Sequence, residues 1–212
     1  MLLPTRCPLC ETLGAAPCRP CAGSLGAAPA VPPIAGCASV GACYCYDRAA
    51  RALVLSLKYR NRRDSVAYCA AALAGTAPPV DLVTWAPSTP SRVRARGFDQ
   101  AEVLARAVAR ELGVPARATL RRTGRAHQTG LDAIERWRGP GFVARAARLR
   151  GATVLVVDDI ITTGSTLAHA AAALRAAGAV AVHARALAWT PAGSAPKRRT
   201  NASDIGVHRV AS

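Results

Sequence analysis

The sequence predicts an α/β fold, a mostly parallel, twisted sheet flanked by helices, with a small cysteine-rich module ahead of it. Three observations predict this. Val154 to Val157 is an apolar run without polar alternation, as in a strand buried on both faces of a parallel sheet. After it come Asp158 and Asp159, a hydroxyl-rich turn from Thr162 to Thr166, and an alanine-rich stretch with Leu167, Ala171 and Leu174 at helical spacing. Near the N-terminus, Cys7, Cys10, Cys18 and Cys21 form a Cys-x2-Cys-x7-Cys-x2-Cys pattern.

In chain order, the cysteines come first. Two knuckles supply four thiolates, a closed tetrahedral set for structural Zn2+, and so short a segment needs a staple because it buries little core of its own. A pair of disulfides or unrelated thiols is the alternative. Cys37, Cys43, Cys45 and Cys69 lack paired spacing and read as small buried hydrophobes, with Cys37 as a substitute ligand. Ser24 to Pro33, rich in Gly, Ala and Pro, reads as a linker. The expected division is therefore 1–33 for the knuckle module and linker, 34–190 for the main domain, and 191–212 for a basic, disordered tail containing Lys197, Arg198 and Arg199.

In the main domain, Val40 to Tyr46 reads as an entering strand. Asp47 caps a helix with Leu53, Val54 and Leu57 as its apolar stripe. Its basic face and Tyr44, Tyr46 and Tyr59 suit single-stranded nucleic acid or, equally, a solvated face over core tyrosines. Asp64 is expected to cap the next helix, which ends at Gly75 with Val66, Cys69, Ala70 and Leu73 inward. Asp81 to Ala86 reads as a second buried strand, with Pro87 to Arg92 as its exit loop. Ala101 to Leu112 reads as a helix, with Asp99 and Glu102 at capping-box spacing and Gly113 closing it. The glycine- and arginine-rich stretch 117–150 reads as a flap, and Val180 to Leu187 as a strand completing a right-handed crossover from Val154 to Val157.

The chemistry concentrates between Asp158 and Thr166. A loop leaving a strand's carboxyl end sits where open α/β sheets bind ligands. At the following helix start, unpaired N–H groups and the helix dipole favour a phosphate, which Thr162, Thr163, Gly164, Ser165 and Thr166 can wrap. Asp158 and Asp159 would repel that phosphate, so they suit sugar hydroxyls, with a cation offsetting their charge. A phosphorylated ribose satisfies both halves. Capped helix and surface acids are the plainer reading, but adjacent acids ending an all-apolar strand ask for another reason.

This stretch resembles the phosphoribosyl-pyrophosphate (PRPP) signature of type I phosphoribosyltransferases. The resemblance implies that Asp158 and Asp159 hold the ribose 2′- and 3′-hydroxyls, that Thr162 to Thr166 hold the 5′-phosphate, and that Mg2+ accompanies PRPP. It also implies that the loop after an early strand contacts pyrophosphate, making Ser88 and Arg92 candidates. The segment Arg96-Gly97-Phe98-Asp99-Gln100 resembles the Arg-Gly-Phe-Asn-Gln motif of the ComF family, phosphoribosyltransferase-like proteins associated with DNA uptake in natural transformation. The N-terminal knuckles, Lys58-Tyr59, and Gln128, Leu131, Arg136 and Phe142 extend that likeness to about Trp189. Asp99 departs from the family's Asn, and Gly139 stands where an Asn is usual near Arg136. The resemblance implies single-stranded DNA and other DNA-uptake proteins as partners; the alternative is an active phosphoribosyltransferase of nucleotide metabolism.

Composition favours a polyanionic partner, since the formal net charge is +16. Residues 92–125 hold nine arginines against Asp99, Glu102 and Glu111, which nominates Arg94, Arg96, Phe98 and Arg125 for nucleic-acid contact. His127 is more in keeping with a structural than a catalytic role. No stretch reads as a membrane span, and there is no room for a signal-peptide apolar region before Cys7, so a cytoplasmic protein with reduced thiols is expected.

Overall fold

A computed structural model describes residues 5–58, 64–123, 141–145 and 149–191. The main sheet has four strands in the order β1-β6-β5-β2, all parallel: β1 (Ser39–Cys45), β2 (Leu82–Trp85), β5 (Thr153–Ile161) and β6 (Ala181–Trp189). Two short strands, β3 (Leu120–Thr123) and β4 (Gly141–Ala144), pair antiparallel beyond it.

Burial on both faces explains the unbroken apolar run of β5. Leu155 and Val157 pack on one side with Leu53, Leu73, Val83, Leu104 and Val108. Val154 and Val156 pack on the other with Leu167, Leu174 and Val182. A short helix α1 (Arg19–Gly23) lies in the cysteine segment; the first layer on the sheet comprises α2 (Arg48–Ser56), α3 (Val66–Ala74) and α5 (Gln100–Leu112), and the second is α6 (Ser165–Ala176). Buried alanines, among them Ala105, Ala170, Ala184 and Ala186, supply small side chains where these layers meet.

Local chemistry sets the helix ends. Asp47 Oδ1 accepts from the Ala50 N–H at 2.8 Å, and Asp99 Oδ1 accepts from the Ala101 N–H at 3.1 Å. Gly113 and Gly178 take positive φ values of 68° and 98° after α5 and α6.

Four expectations need correction. β5 does not stop at Val157 but runs through both acids to Ile161, because β6 extends alongside it and pairs Asp158 with Ala186 and Ile161 with Trp189. Asp64 is not the cap of α3. Ser65 holds that position, its buried hydroxyl bonded to Ser56 Oγ at 2.6 Å. The exit loop after β2 is shorter than expected, since Pro90–Arg96 forms helix α4 with Thr89 as N-cap and proline in its first turn. Finally, the Ser24 to Pro33 stretch does not run free of the sheet. Ala28 N–H donates to Cys43 O at 3.1 Å and Cys45 N–H to Gly26 O at 2.9 Å, covering the β1 edge.

The opposite edge is covered too, as Val83 N–H donates to Pro115 O and Arg117 N–H to Val83 O. Within 117–150, the stretch expected to form a flap, β3 and β4 are described. Positions 124–140 lie outside the described residues, and so do Tyr59, Arg60, Arg62, Arg63 and the tail from 192. No described helix is long and apolar enough to cross a membrane.

Candidate functional site

Parallel register builds the candidate site. Trp85 pairs with Val157, so the residues leaving β2, Ala86 to Ser88, run beside Asp158 and Asp159. The N-terminus of α5 and Lys58, two residues past α2, close on the same place. Together they line a cavity of about 260 Å³ with Arg92, Arg96, Gln100, Arg122 and Thr166. One wall carries two carboxylates and the rest carries cations, an arrangement suited to a ligand with hydroxyls at one end and anionic oxygens at the other.

The acids are held differently. Asp158 Oδ1 accepts from the Asp159 N–H at 2.8 Å. Burial, and then the neighbouring Asp159 charge, push the Asp158 carboxyl well above the usual carboxylate range. Asp159 Oδ2 accepts from Gln100 Nε2 at 2.8 Å and lies 3.6 Å from Lys58 Nζ. On the facing wall, Ser88 donates both its N–H and its hydroxyl to Asp99, each at 2.9 Å. Arg122 Nε donates to Pro87 O at 3.0 Å, and its guanidinium lies 5.0 Å from the Phe142 ring centroid. Burial, and then Arg92, shift the Arg122 pKa down, against the opposing pull of Asp158 and Asp99.

The turn from Thr162 to Gly164 connects β5 to the N-terminus of α6. Gly164 is buried at φ 73°, a backbone that favours glycine, and a Cβ there would lie 2.7 Å from Ile34 Cδ1, so the end of the Ile34 side chain would have to shift. Thr162 and Thr163 are exposed, and Ser165 N–H donates to Thr163 Oγ1 at 3.3 Å.

Of the site residues read from sequence, Asp158, Asp159, Thr166, Ser88, Arg92 and Arg96 line the cavity, and Thr162, Thr163, Gly164 and Ser165 form the adjoining turn. Arg94 is exposed on α4 and does not line it, Phe98 is half-buried, and Arg125 lies outside the described residues. Lys58, Gln100 and Arg122 line the cavity without having been singled out for it, although each sits in a noted segment. A second cavity of about 450 Å³ adjoins the first. It shares Pro87, Ser88 and Arg122, adds Arg121 and Arg145 over an apolar floor that includes Ala118 and Leu120, and has no acid among the described residues that line it.

The cysteine cluster is separate. The sulfurs of Cys7, Cys10, Cys18 and Cys21 lie within 4.8 Å of one another, and Cys10 and Cys18 are 3.6 Å apart. Tetrahedral zinc with Zn–S of about 2.3 Å sets sulfurs roughly 3.8 Å apart, so the set fits that ion. Contact with the Thr12 hydroxyl pulls the Cys10 thiol down to about 6, while hydrogen bonding to Cys18 pushes Cys21 up to about 12. Four sulfurs stand at close quarters, and as thiolates their charge would be offset by a divalent cation. Cys37 is not in the cluster; burial pushes its thiol up to about 11.

No curated protein matches the chain. Among solved structures, it is similar to glutamine PRPP amidotransferase from B. subtilis, at 24% identity over 62% of this chain and 30% of that one, with a TM-score of 0.45. It is also similar to adenine phosphoribosyltransferase from Thermoanaerobacter pseudethanolicus, at 17% identity over 57% and 78%, with a TM-score of 0.40. For phosphoribosylpyrophosphate synthetase from Mycobacterium smegmatis the identity is 26% over 60% and 32%, with a TM-score of 0.31. The chain spans about a third of the length of the first and third of these proteins. A family model described as "Phosphoribosyl transferase domain" matches residues 99–208, just over half the chain and including the acid pair and the turn after it. The chain belongs to the phosphoribosyl transferase domain family.

Proposed function

We propose that this protein binds PRPP at the end of β5 and is a ComF-type member of its family that handles single-stranded DNA in the cytoplasm. The observation that carries the PRPP reading is the cavity in which Asp158 and Asp159 face Arg92, Arg96 and Arg122. In it the acids hold the ribose 2′- and 3′-hydroxyls, Thr162 to Thr166 hold the 5′-phosphate, and Ser88, Arg92 and Arg122 meet the pyrophosphate. The negative charge of acids and ligand is offset by Mg2+ entering with PRPP. In the cysteine module, Cys7, Cys10, Cys18 and Cys21 hold Zn2+. The proposed units are 1–33, 34–190 and a basic tail, 191–212.

The ComF assignment rests on the knuckles and on Arg96 to Gln100, and the DNA partner on the net charge of +16 and the exposed arginines. Arg96 also lines the small-ligand cavity, so Arg94 and Phe98, which do not line it, and Arg125 are the remaining DNA candidates. A second reading, turnover, is favoured by the same cavity. The C1–O bond to pyrophosphate breaks with its electron pair leaving on pyrophosphate, and a nitrogen lone pair forms the new bond to C1. Pyrophosphate release from PRPP, measured with and without single-stranded DNA, separates the two. Release that needs a nitrogen acceptor supports turnover. DNA binding that is indifferent to PRPP and equal for duplex DNA and heparin argues against the DNA role.

A further inference from the structure

We infer that Asp99 and Gln100 are a pair of positioning residues that fix the two walls of the cavity against each other. Gln100 sets the carboxylate of Asp159, and Asp99 sets the loop that carries Ser88. The inference rests on the PRPP reading above and adds a role to two residues that this reading leaves idle.

Gln100 is the first residue of α5 and only 4% exposed, so its amide needs partners at both ends. Its Oε1 accepts from Arg96 Nη1 at 3.1 Å, which orients the amide. Nε2 therefore faces Asp159 and donates to Oδ2. Lys58 approaches the same oxygen, so both of these donors fall on Oδ2. A carboxylate steered in this way offers one oxygen to a ligand hydroxyl in a fixed direction.

Asp99, one residue earlier, works on the opposite wall. Its two oxygens take separate donors from Ser88, and Oδ1 also takes the Ala101 N–H. A carboxamide could not do this, because in one orientation its nitrogen would meet the Ser88 N–H and in the other the Ala101 N–H, donor to donor. Adjacent residues of one helix start thus set the spacing between a sugar-hydroxyl wall and a pyrophosphate wall.

The test uses full-length, zinc-loaded protein titrated with Mg2+–PRPP, ribose 5-phosphate and inorganic pyrophosphate. Gln100→Leu keeps the bulk and removes the donor. It is expected to weaken PRPP and ribose 5-phosphate about tenfold, the usual size for a hydrogen bond to a charged group, and pyrophosphate much less. Gln100→Glu, which sets a second carboxylate against Asp159, should weaken them further. Asp99→Asn is expected to show the reverse split, with the larger loss on pyrophosphate. In an Asp159→Asn background, Gln100→Leu should add almost nothing, as required if Gln100 acts through that carboxylate. Equal losses for all three ligands, or a full Gln100→Leu loss persisting in that background, overturn the inference in favour of a purely structural role. Failure of the unsubstituted protein to bind PRPP is a separate result, which removes the reading beneath it.

Discussion

The cysteine module and the carboxyl end of the sheet hold polar groups in place by opposite means. In the module, Cys7 to Cys21 gather within one short segment, around two tight turns in which Glu11 N–H donates to Cys7 O and Ala22 N–H to Cys18 O. At the sheet, Lys58, Ser88, Gln100, Arg122 and Asp158 converge from across the chain because parallel strands fix their register and a packed core fixes the helices. On the proposed reading an ion would hold the module together, whereas burial holds the cavity.

That contrast can be broken most forcefully at the ion. Chelation, or Cys7→Ser, should release about one zinc per chain and disorder the module, since a structural four-thiolate site supplies roughly 10 kcal/mol or more of apparent binding free energy. The sheet should keep its far-UV circular dichroism and PRPP affinity, although Leu9 and Leu25 pack against its core. Metal retained in both Cys7→Ser and Cys18→Ser would mean a different ligand set. The next largest effect belongs to burial. Leu155, fully buried between β2 and β6, should cost about 2–5 kcal/mol when changed to alanine, read as a lower denaturant midpoint with zinc content unchanged.

How far each region was legible in the sequence follows from the same difference. The cysteine spacing was readable because its members are neighbours. The fold class was readable in Val154 to Val157, where burial on both faces removes alternation, and in Asp47 and Asp99, whose caps are local. The extension of β5 through its acids was not, because Ile160 and Ile161 stay in the ladder only through β6. Thr89-Pro90 carried a helix-start signature, yet the two prolines suggested a loop. Lys58, Gln100 and Arg122 gave no sign of converging, since that depends on strand order rather than on spacing.

A smaller effect tests how the turn after β5 is packed. Gly164→Ala should destabilise by about 1–3 kcal/mol, because it forces a side chain into the left-handed region, and it should weaken phosphate binding. Ile34→Ala in the same chain should restore part of the loss by removing the clash, but not the backbone strain. No restoration would show that Ile34 does not press on the turn.

The smallest effect concerns protons. The Asp158 carboxyl is raised in the folded state, mainly by burial, so between an ordinary carboxylate pKa of about 4 and its own raised value the folded chain binds more protons than the unfolded one. Stability should therefore fall as pH rises across that window. Asp158→Asn should flatten the slope, as seen in denaturant midpoints measured between pH 4 and 8.

On the proposed reading the acid pair at the end of β5 holds the sugar of PRPP. Calorimetric titration of the protein and of its Asp158→Ala, Asp159→Ala double variant with Mg2+–PRPP tests it most directly. Saturable binding by the former and none by the latter, with zinc content unchanged and the fold intact, is the expected result. Undiminished affinity in the double variant would contradict it.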